Sequence, residues 1–205
     1  MDYTTLATTE SIEKTAAALK AHGIETSIVE KGADALALIK QLIPPGASVM
    51  NGASRTLEEI GYVAYLVAGQ HGWNNLHAAI VAEKDRAAQG KLRKEALLSD
   101  YYLGSVHALS ETGEFVVASN TGSQLPHIVF SSPNLIFVVG TQKIVPTLAA
   151  ALERLENHVV ALEDNNMKTK YGMGTMLSKI VIFKRENPML GRKIRLILVK
   201  EKLGF

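Results

Sequence analysis

The feature that most restricts the fold of this chain is an alternation of helix-like and strand-like segments through its first third. The helix-like segments carry apolar residues every three or four positions, and the segments between them are short and apolar. Glycine or proline ends them, at His22-Gly23 and at Pro44-Pro45-Gly46. Such alternation favours parallel strands covered by helices. The predicted helices are residues 10–21, 32–43 and about 56–67, and the predicted strands are residues 24–29 and 47–50.

The pattern changes after residue 100, where short strand-like runs are separated by Gly, Asn, Ser and Pro turns. A loop at 69–75 and an amphipathic helix at 78–98 precede this change, and a helix at 145–155 follows it. Predicted strands are residues 102–109, 114–119, 127–130 and 135–139, with a two-strand finish at 177–183 and 194–199. No internal repeat or linker divides the chain, so we predict one α/β domain.

Composition excludes several classes of chemistry. With 47% apolar residues the chain can bury a substantial core, but it has no cysteine, which rules out disulfides, thiolate nucleophiles and cysteine-ligated clusters within it. The six histidines form no HExxH or paired motif, so no metal site is predicted. No apolar run approaches the roughly 20 residues of a membrane span. The N-terminus lacks the basic and apolar blocks of a secretory signal, so we expect a cytoplasmic protein.

Charge is distributed unevenly along the chain. Residues 1–167 carry 12 basic and 18 acidic side chains, whereas residues 168–202 carry 10 basic and 2 acidic ones. Such asymmetry is typical of an anion-binding or self-association surface, but a solvated basic tail would show the same pattern. Nucleic acid is a poor partner, because Tyr171 and Phe183 are the only stacking candidates in the basic segment.

The first candidate site is the turn from a predicted strand into a helix at residues 51–56. The first amide groups of a helix favour an anion, so this loop suits a phosphate or carboxylate. Arg55 would lie at the positive end of the helix dipole, which is unfavourable unless an anion or a nearby acid compensates. The alternative is an ordinary helix start, since Thr56 and Glu59 spell a capping box. The ligand-binding residues predicted here are Gly52, Ala53, Ser54, Arg55 and Thr56.

The second candidate is residues 110–124, with polar turns at both ends of a predicted strand. Glu111 is the catalytic candidate, as general base or carboxylate nucleophile, and a simple turn residue is the alternative. A strand of five or six residues holds its ends about 17–20 Å apart, so the two turns are not expected to share one pocket. We expect Glu111 to lie beside the 51–56 loop, and residues 120–124 to serve the opposite edge or an interface unless a bulge near Ala118 folds them back.

The third candidate, residues 140–143, repeats the strand-to-helix layout after the strand at 135–139. In a parallel sheet both loops would lie at the carboxyl ends of strands, where α/β folds place ligands. Lys143 would then hold an anion; an exposed lysine near a helix start is the alternative. Further ligand-binding candidates from the three segments are His107, Gly113, Asn120, Thr121, Gly122, Ser123 and Gln142.

Taken together, GASRTLEEIG (52–61), SDYYLGSVHALSETGEFVVASNTGSQLP (99–126) and FVVGTQKIVPTLAAALERL (137–155) resemble the LUD domain, the lactate-utilisation protein family. The closing RKIRLILVKEKLGF (192–205) is similar to the family's C-terminal strand. The resemblance begins near Pro45. It implies a single LUD domain over 1–205, with residues 1–45 as a helical N-terminal extension packed on it.

The resemblance implies a three-layer fold like that of ribose-5-phosphate isomerase, glucosamine-6-phosphate deaminase and the CoA transferases, with a mostly parallel central sheet flanked by helices. Carried over by position, the anion loop falls on Gly52, Ser54 and Thr56, and the SETG turn resembles the glutamate-bearing turn of CoA transferases at Glu111. Two family features are missing. Residues 165–178 lack the cysteine-rich segment of some members, and Val106-His107 stand where many members carry an acid.

Two hypotheses about function follow. The first is a protein of organic-acid (lactate-type) metabolism that binds a small anionic metabolite, such as a CoA ester or phosphorylated molecule, with no covalently bound cofactor. The second is a non-catalytic subunit that docks an iron–sulfur or flavin redox partner. Self-association into a homo-oligomer is compatible with both. The first predicts that Ser54, Glu111 and Lys143 face one cleft, and the second predicts a flat apolar or charged patch.

Overall fold

Six parallel strands form the main sheet of the computed structural model, which describes residues 2–205. Its strands are β1 (Glu25–Val29), β2 (Ser48–Asn51), β3 (Asn74–Asn75), β4 (Tyr101–Gly104), β7 (Asn134–Gly140) and β10 (Lys193–Val199), in the order β1-β10-β7-β4-β2-β3. A second sheet has the order β8-β5-β6-β9 and consists of β5 (Ala108–Ser110), β6 (Phe115–Ser119), β8 (Ile144–Val145) and β9 (Lys179–Phe183).

Helices cover both sheets. They are α1 (Thr9–Ala21), α2 (Gly32–Leu42), α3 (Arg55–Glu59), α4 (Tyr62–Val67), α5 (Leu76–Ala82), α6 (Arg86–Glu95), α7 (Leu148–Arg154) and α8 (Val160–Tyr171). A π-helical turn, Leu155–Val159, joins α7 to α8 without a break. The predicted three-layer α/β class with a mostly parallel central sheet flanked by helices is confirmed.

The central strands bury side chains on both faces, because alternate residues point to opposite sides. In β7, Ile136 and Val138 pack with the buried residues of α2, α3 and α4. Phe137 and Val139 pack on the other side, where Phe115 and Val117 of the second sheet meet α1 and α5. The outer face of the second sheet is covered by α7. The second sheet therefore lies between the main sheet and the α7–α8 helix.

Several predicted elements are wrong in ways that reflect tertiary structure. Residues 127–130 form the π-helical turn His127–Ser131, since Pro126 already has helical dihedral angles. The predicted strand 102–109 is divided between two sheets as β4 and β5. The helix predicted at 56–67 breaks at Gly61, whose φ is 80°, and the helix predicted at 78–98 breaks between α5 and α6. The helix predicted at 145–155 starts later, after the Thr147 cap, and continues to Tyr171.

The ends of the chain are built into the main sheet. β1 pairs with β10 in parallel register from Glu25 opposite Arg195 to Val29 opposite Val199. The first 45 residues thus contribute an edge strand as well as two helices. The predicted two-strand finish is divided, because β9 belongs to the second sheet and β10 to the main sheet.

Candidate functional site

The carboxyl ends of three neighbouring strands meet at one cavity of about 510 Å³. β7, β4 and β2 are adjacent and parallel, so the segments that follow them emerge at the same edge of the sheet. Gly52 to Thr56 follow β2, Ser105 to His107 follow β4, and Lys143 comes shortly after β7. The end of β6 and the α7–α8 helix form the facing walls.

Lys143 is the most unusual group at this site. Its side chain is almost fully buried, and its Nζ donates to Thr56 Oγ1 and to Ser105 Oγ, both at 3.0 Å. Ser105 in turn donates to the Val138 carbonyl at 2.7 Å, so its oxygen is left to accept from the lysine. No ion pair between described residues includes Lys143. Burial lowers the pKa of Lys143 to about 7, and the nearby charge of Arg154 acts in the same direction.

Two further basic residues lie close to this lysine. His107 accepts a hydrogen bond at Nδ1 from the Ala118 amide at 3.0 Å, and burial, together with the charges of Lys143 and Arg154, lowers its pKa to about 3. His107 is therefore neutral near pH 7. Arg154 is fully buried in α7 and donates to the His107 carbonyl, while its Nε and Nη2 have no protein partner. Lys143 and Arg154 thus bring two basic side chains close together, and the charge of Glu59 acts on Lys143 in the opposite direction to that of Arg154.

The loop after β2 matches its predicted location but differs in detail. Ser54 is the N-cap of α3, and its Oγ accepts from the Leu57 amide at 3.3 Å, so the capping box predicted at Thr56 and Glu59 is wrong. Arg55 bonds Glu59 at 2.8 Å, which supplies the acid that its position at the helix start requires. α3 has only five residues, so its dipole is small. The loop can bind a ligand chiefly through its hydroxyl groups.

Glycine at position 52 permits a close approach of the two sides of the cavity. A Cβ at Gly52 would lie 2.7 Å from the Tyr102 hydroxyl and 2.8 Å from Gln124 Oε1. Gln124 is held by a bond from its Nε2 to the Ala118 carbonyl at 3.0 Å. Any side chain at position 52 would have to displace the Tyr102 hydroxyl and the end of the Gln124 side chain.

The two turns of residues 110–124 have exchanged the positions that we expected: the turn with Glu111 lies away from the cavity, and the turn at residues 120–124 lies beside it. Glu111 does not line the cavity; it accepts from Ser11 Oγ at 2.6 Å and pairs with Lys14 at 2.8 Å, and these two bonds lower its pKa. The expectation placed Glu111 on a strand parallel to β2 in the same sheet. β5 instead belongs to the second sheet and ends beside α1, and the antiparallel strand β6 carries the chain back to the cavity. As the strand length predicted, the two turns do not share a pocket.

Some of the remaining predicted residues line the cavity and others lie outside it. Asn120, Thr121 and Ser123 line the cavity, whereas Gly122, with φ of 85°, packs against Lys179. Two others lie outside the lining. Gly113 is beside His22 and Ala18, and Gln142 is buried and donates from Nε2 to the Leu203 carbonyl at 2.8 Å.

Several cavity residues were not predicted from the sequence. On the strand side, the polar residues that were not predicted include Ser105, Tyr102 and the pair His77 and Arg93, whereas Gln124 belongs to the predicted turn at residues 120–124. The pKa of His77 is lowered by burial and by the neighbouring Arg93. On the helix side the lining residues recur every three or four positions from Leu155 to Tyr171. This helical spacing was the available signal, but we predicted that the helix ended at residue 155.

Two absences bear on the kind of site. Across residues 2–205, no three His, Asp or Glu side chains are grouped as ligands for a metal ion. The same residues contain no helix that is both long and apolar enough to cross a bilayer.

Comparison with known proteins identifies the family. A crystal structure of a DUF162 family protein from Deinococcus radiodurans is similar in fold, with a TM-score of 0.54 and 13% sequence identity over 95% of this chain and 98% of that one. A search of curated proteins found no match. The family model of the LUD domain matches residues 12–182, which is most of the chain. The chain therefore belongs to the LUD domain family.

Proposed function

We propose that this LUD-domain protein acts in organic-acid (lactate-type) metabolism by binding an anionic metabolite in the cavity at the strand ends. The observation that carries the proposal is Lys143, a buried lysine that lines the cavity and has no acidic partner among the described residues. Burying an unpaired ammonium group is costly, so such groups are paired in most proteins. An anionic ligand would supply the missing charge.

The hydrogen bonds of Lys143 leave one position for the ligand. A protonated lysine has three N–H donors, and two of them are taken by Thr56 and Ser105. The third can donate to a carboxylate or phosphate oxygen, and a charge-assisted bond of this kind is stronger than a neutral one. Arg154, although it does not line the cavity, adds positive potential because its charge is uncompensated by an ion pair.

Polar groups around Lys143 would orient the rest of the ligand. Ser54 lies on the β2 side, and Asn120, Thr121 and Ser123 lie on the facing wall. Their hydroxyl and amide groups fit the polar atoms of a hydroxy acid, a CoA ester or a phosphorylated metabolite. Glu111 has no part in this proposal, because it is bonded to α1 outside the cavity. The rival hypothesis, docking of an iron–sulfur or flavin redox partner, stays a prediction.

Isothermal titration calorimetry with a panel of anions tests the proposal. The panel includes lactate, acetate, hexanoate, glucose 6-phosphate and acetyl-CoA, titrated in a buffer without small anions. We expect one class to bind with a single site and Lys143→Met to weaken it at least about 30-fold, as expected when one partner of a buried charge pair is removed.

The matched control is Lys20→Met, which removes the same charge from an exposed position on α1. It should bind with the affinity of the wild type. Binding that survives Lys143→Met, or no binding by any member of the panel, would refute the proposal.

A further inference from the structure

One helical wall of the cavity is long and mostly apolar. Because α7, the π-helical turn and α8 are continuous, side chains on one face follow the cavity from Leu155 to Tyr171, a length of about 24 Å at 1.5 Å per residue. The side chains on this face, which we call the helix wall, are Leu155, Val159, Val160, Glu163, Met167 and Tyr171.

The helix wall contrasts with the strand-end side of the cavity, where Lys143, Ser54 and Thr56 are clustered. A three-carbon acid held at Lys143 would contact the polar side and leave most of the roughly 510 Å³ unfilled. Cavities of this size are typical of much larger ligands, whose apolar parts are buried against apolar side chains. The division into a cationic end and an apolar wall is that expected for an amphiphilic ligand.

We infer that the ligand is a carboxylic acid with an extended alkyl chain, its carboxylate at Lys143 and its chain along the helix wall. The inference rests on the proposed function, since it places the anion at the same lysine. It adds the chemical class of the remainder of the ligand. The chain passes between the helix wall and the apolar residues Ala118 and Leu177, which also line the cavity.

Glu163 interrupts the apolar surface of the helix wall. It is the single carboxylate on the helix wall, and burial raises its pKa. The apolar section from Leu155 to Glu163 is about 12 Å long at 1.5 Å per residue. With C–C bonds of about 1.5 Å, an extended chain of roughly ten carbons covers that distance. Longer chains would have to pass the carboxyl group and gain less from burial.

A chain-length series measures the inference directly. Straight-chain carboxylates from acetate to dodecanoate are titrated into the wild-type protein by calorimetry, below the concentrations at which they form micelles. We expect affinity to rise about fourfold for each added CH₂ group, the factor that corresponds to burial of one methylene. For a chain that lies along the apolar section of residues 155–163, the rise should stop near about ten carbons.

Two variants separate the ends of the ligand. Lys143→Met should weaken every acid by the same factor, because all share the carboxylate. Val160→Phe narrows the apolar wall and should weaken decanoate at least about tenfold while leaving acetate unchanged, since it removes the space for several buried methylenes. Val81→Phe is the matched control; Val81 is exposed and does not line the cavity.

Each outcome decides the inference. Equal affinity for all chain lengths, with binding still dependent on Lys143, would overturn the inference and leave the proposed function standing. Failure of every acid to bind, whatever its length, while a phosphorylated anion binds, would overturn the inference alone. Failure of every anion would remove both. If Val160→Phe does not fold, the wild-type series by itself still decides.

Discussion

Replacing Lys143 by methionine should stabilise the protein while weakening anion binding at least about 30-fold. Methionine has nearly the shape of lysine without its charge, so the variant keeps the packing and removes the buried amine. A residue that is needed only for packing would show the opposite result, a loss of stability. The two effects together would identify Lys143 as a group retained for function at a cost to folding.

The magnitude follows from the pKa of the buried amine. A fall from 10.5 to about 7 corresponds to roughly 5 kcal/mol, since a tenfold change in proton affinity is about 1.4 kcal/mol. The loss of two hydrogen bonds, to Thr56 and Ser105, offsets about 1–3 kcal/mol of this. In the absence of ligand, the variant should therefore be more stable than the wild type by roughly 2–4 kcal/mol at pH 7.

The pH dependence gives a second, independent signature. Between pH 7 and 10.5 the unfolded chain holds the lysine proton and the folded protein has lost it, so the free energy of unfolding rises with pH in this window. The free-energy cost of burying the protonated amine is fully present below about pH 7 and decreases as pH approaches 10.5. The advantage of Lys143→Met should accordingly shrink by roughly 3–4 kcal/mol between pH 7 and pH 10.

Urea unfolding at both pH values, followed by the fluorescence of the single tryptophan, Trp73, measures these quantities. Lys20→Met serves as the control for loss of a lysine from the surface. The reasoning is refuted if Lys143→Met is less stable than the wild type at pH 7, or if the difference between the two proteins is the same at pH 10.

Three other substitutions test features outside the cavity, with Gly90→Ala as the control for Gly140→Ala. Glu111→Gln should leave anion affinity, measured by calorimetry, within about twofold of the wild type, because distant sites act independently. It should slightly lower the free energy of unfolding, measured in urea, because it breaks the ion pair with Lys14. A large loss of affinity would contradict the placement of Glu111 outside the cavity. Gly140→Ala should lower the free energy of unfolding by about 1–3 kcal/mol, because the new Cβ would lie 2.7 Å from the backbone nitrogen of Leu203. Gly90 lies in the middle of α6, and no atom is near the position of a new Cβ there. Gly90→Ala should therefore raise the free energy of unfolding, measured by thermal unfolding, by up to about 1 kcal/mol. Equal effects of the two alanine substitutions would contradict the clash at Gly140.

The parallel sheet and two of the three site segments could be predicted from local pattern. Alternating strand and helix segments predicted β1, β2 and the helices between them to within a few residues. The loop after β2 and the lysine after β7 were placed at one edge of the sheet because parallel strands share their carboxyl ends. That Lys143 meets Thr56 across 87 positions of sequence follows from this geometry.

Only the tertiary structure decided which sheet each later strand joins, and therefore whether Glu111 lies at the cavity or outside it. The run 102–109 reads as one strand, yet β4 pairs with β2 and β7 while β5 pairs with β6 and β8. Pairing depends on long-range contacts that a local pattern does not contain. The same holds for the burial of Lys143, which sets its pKa, because a lysine that follows a strand is ordinarily exposed. Sequence periodicity thus determined the strands and the edge at which a site would form, whereas the packing of the second sheet and the α7–α8 helix on that edge decided which side chains line it.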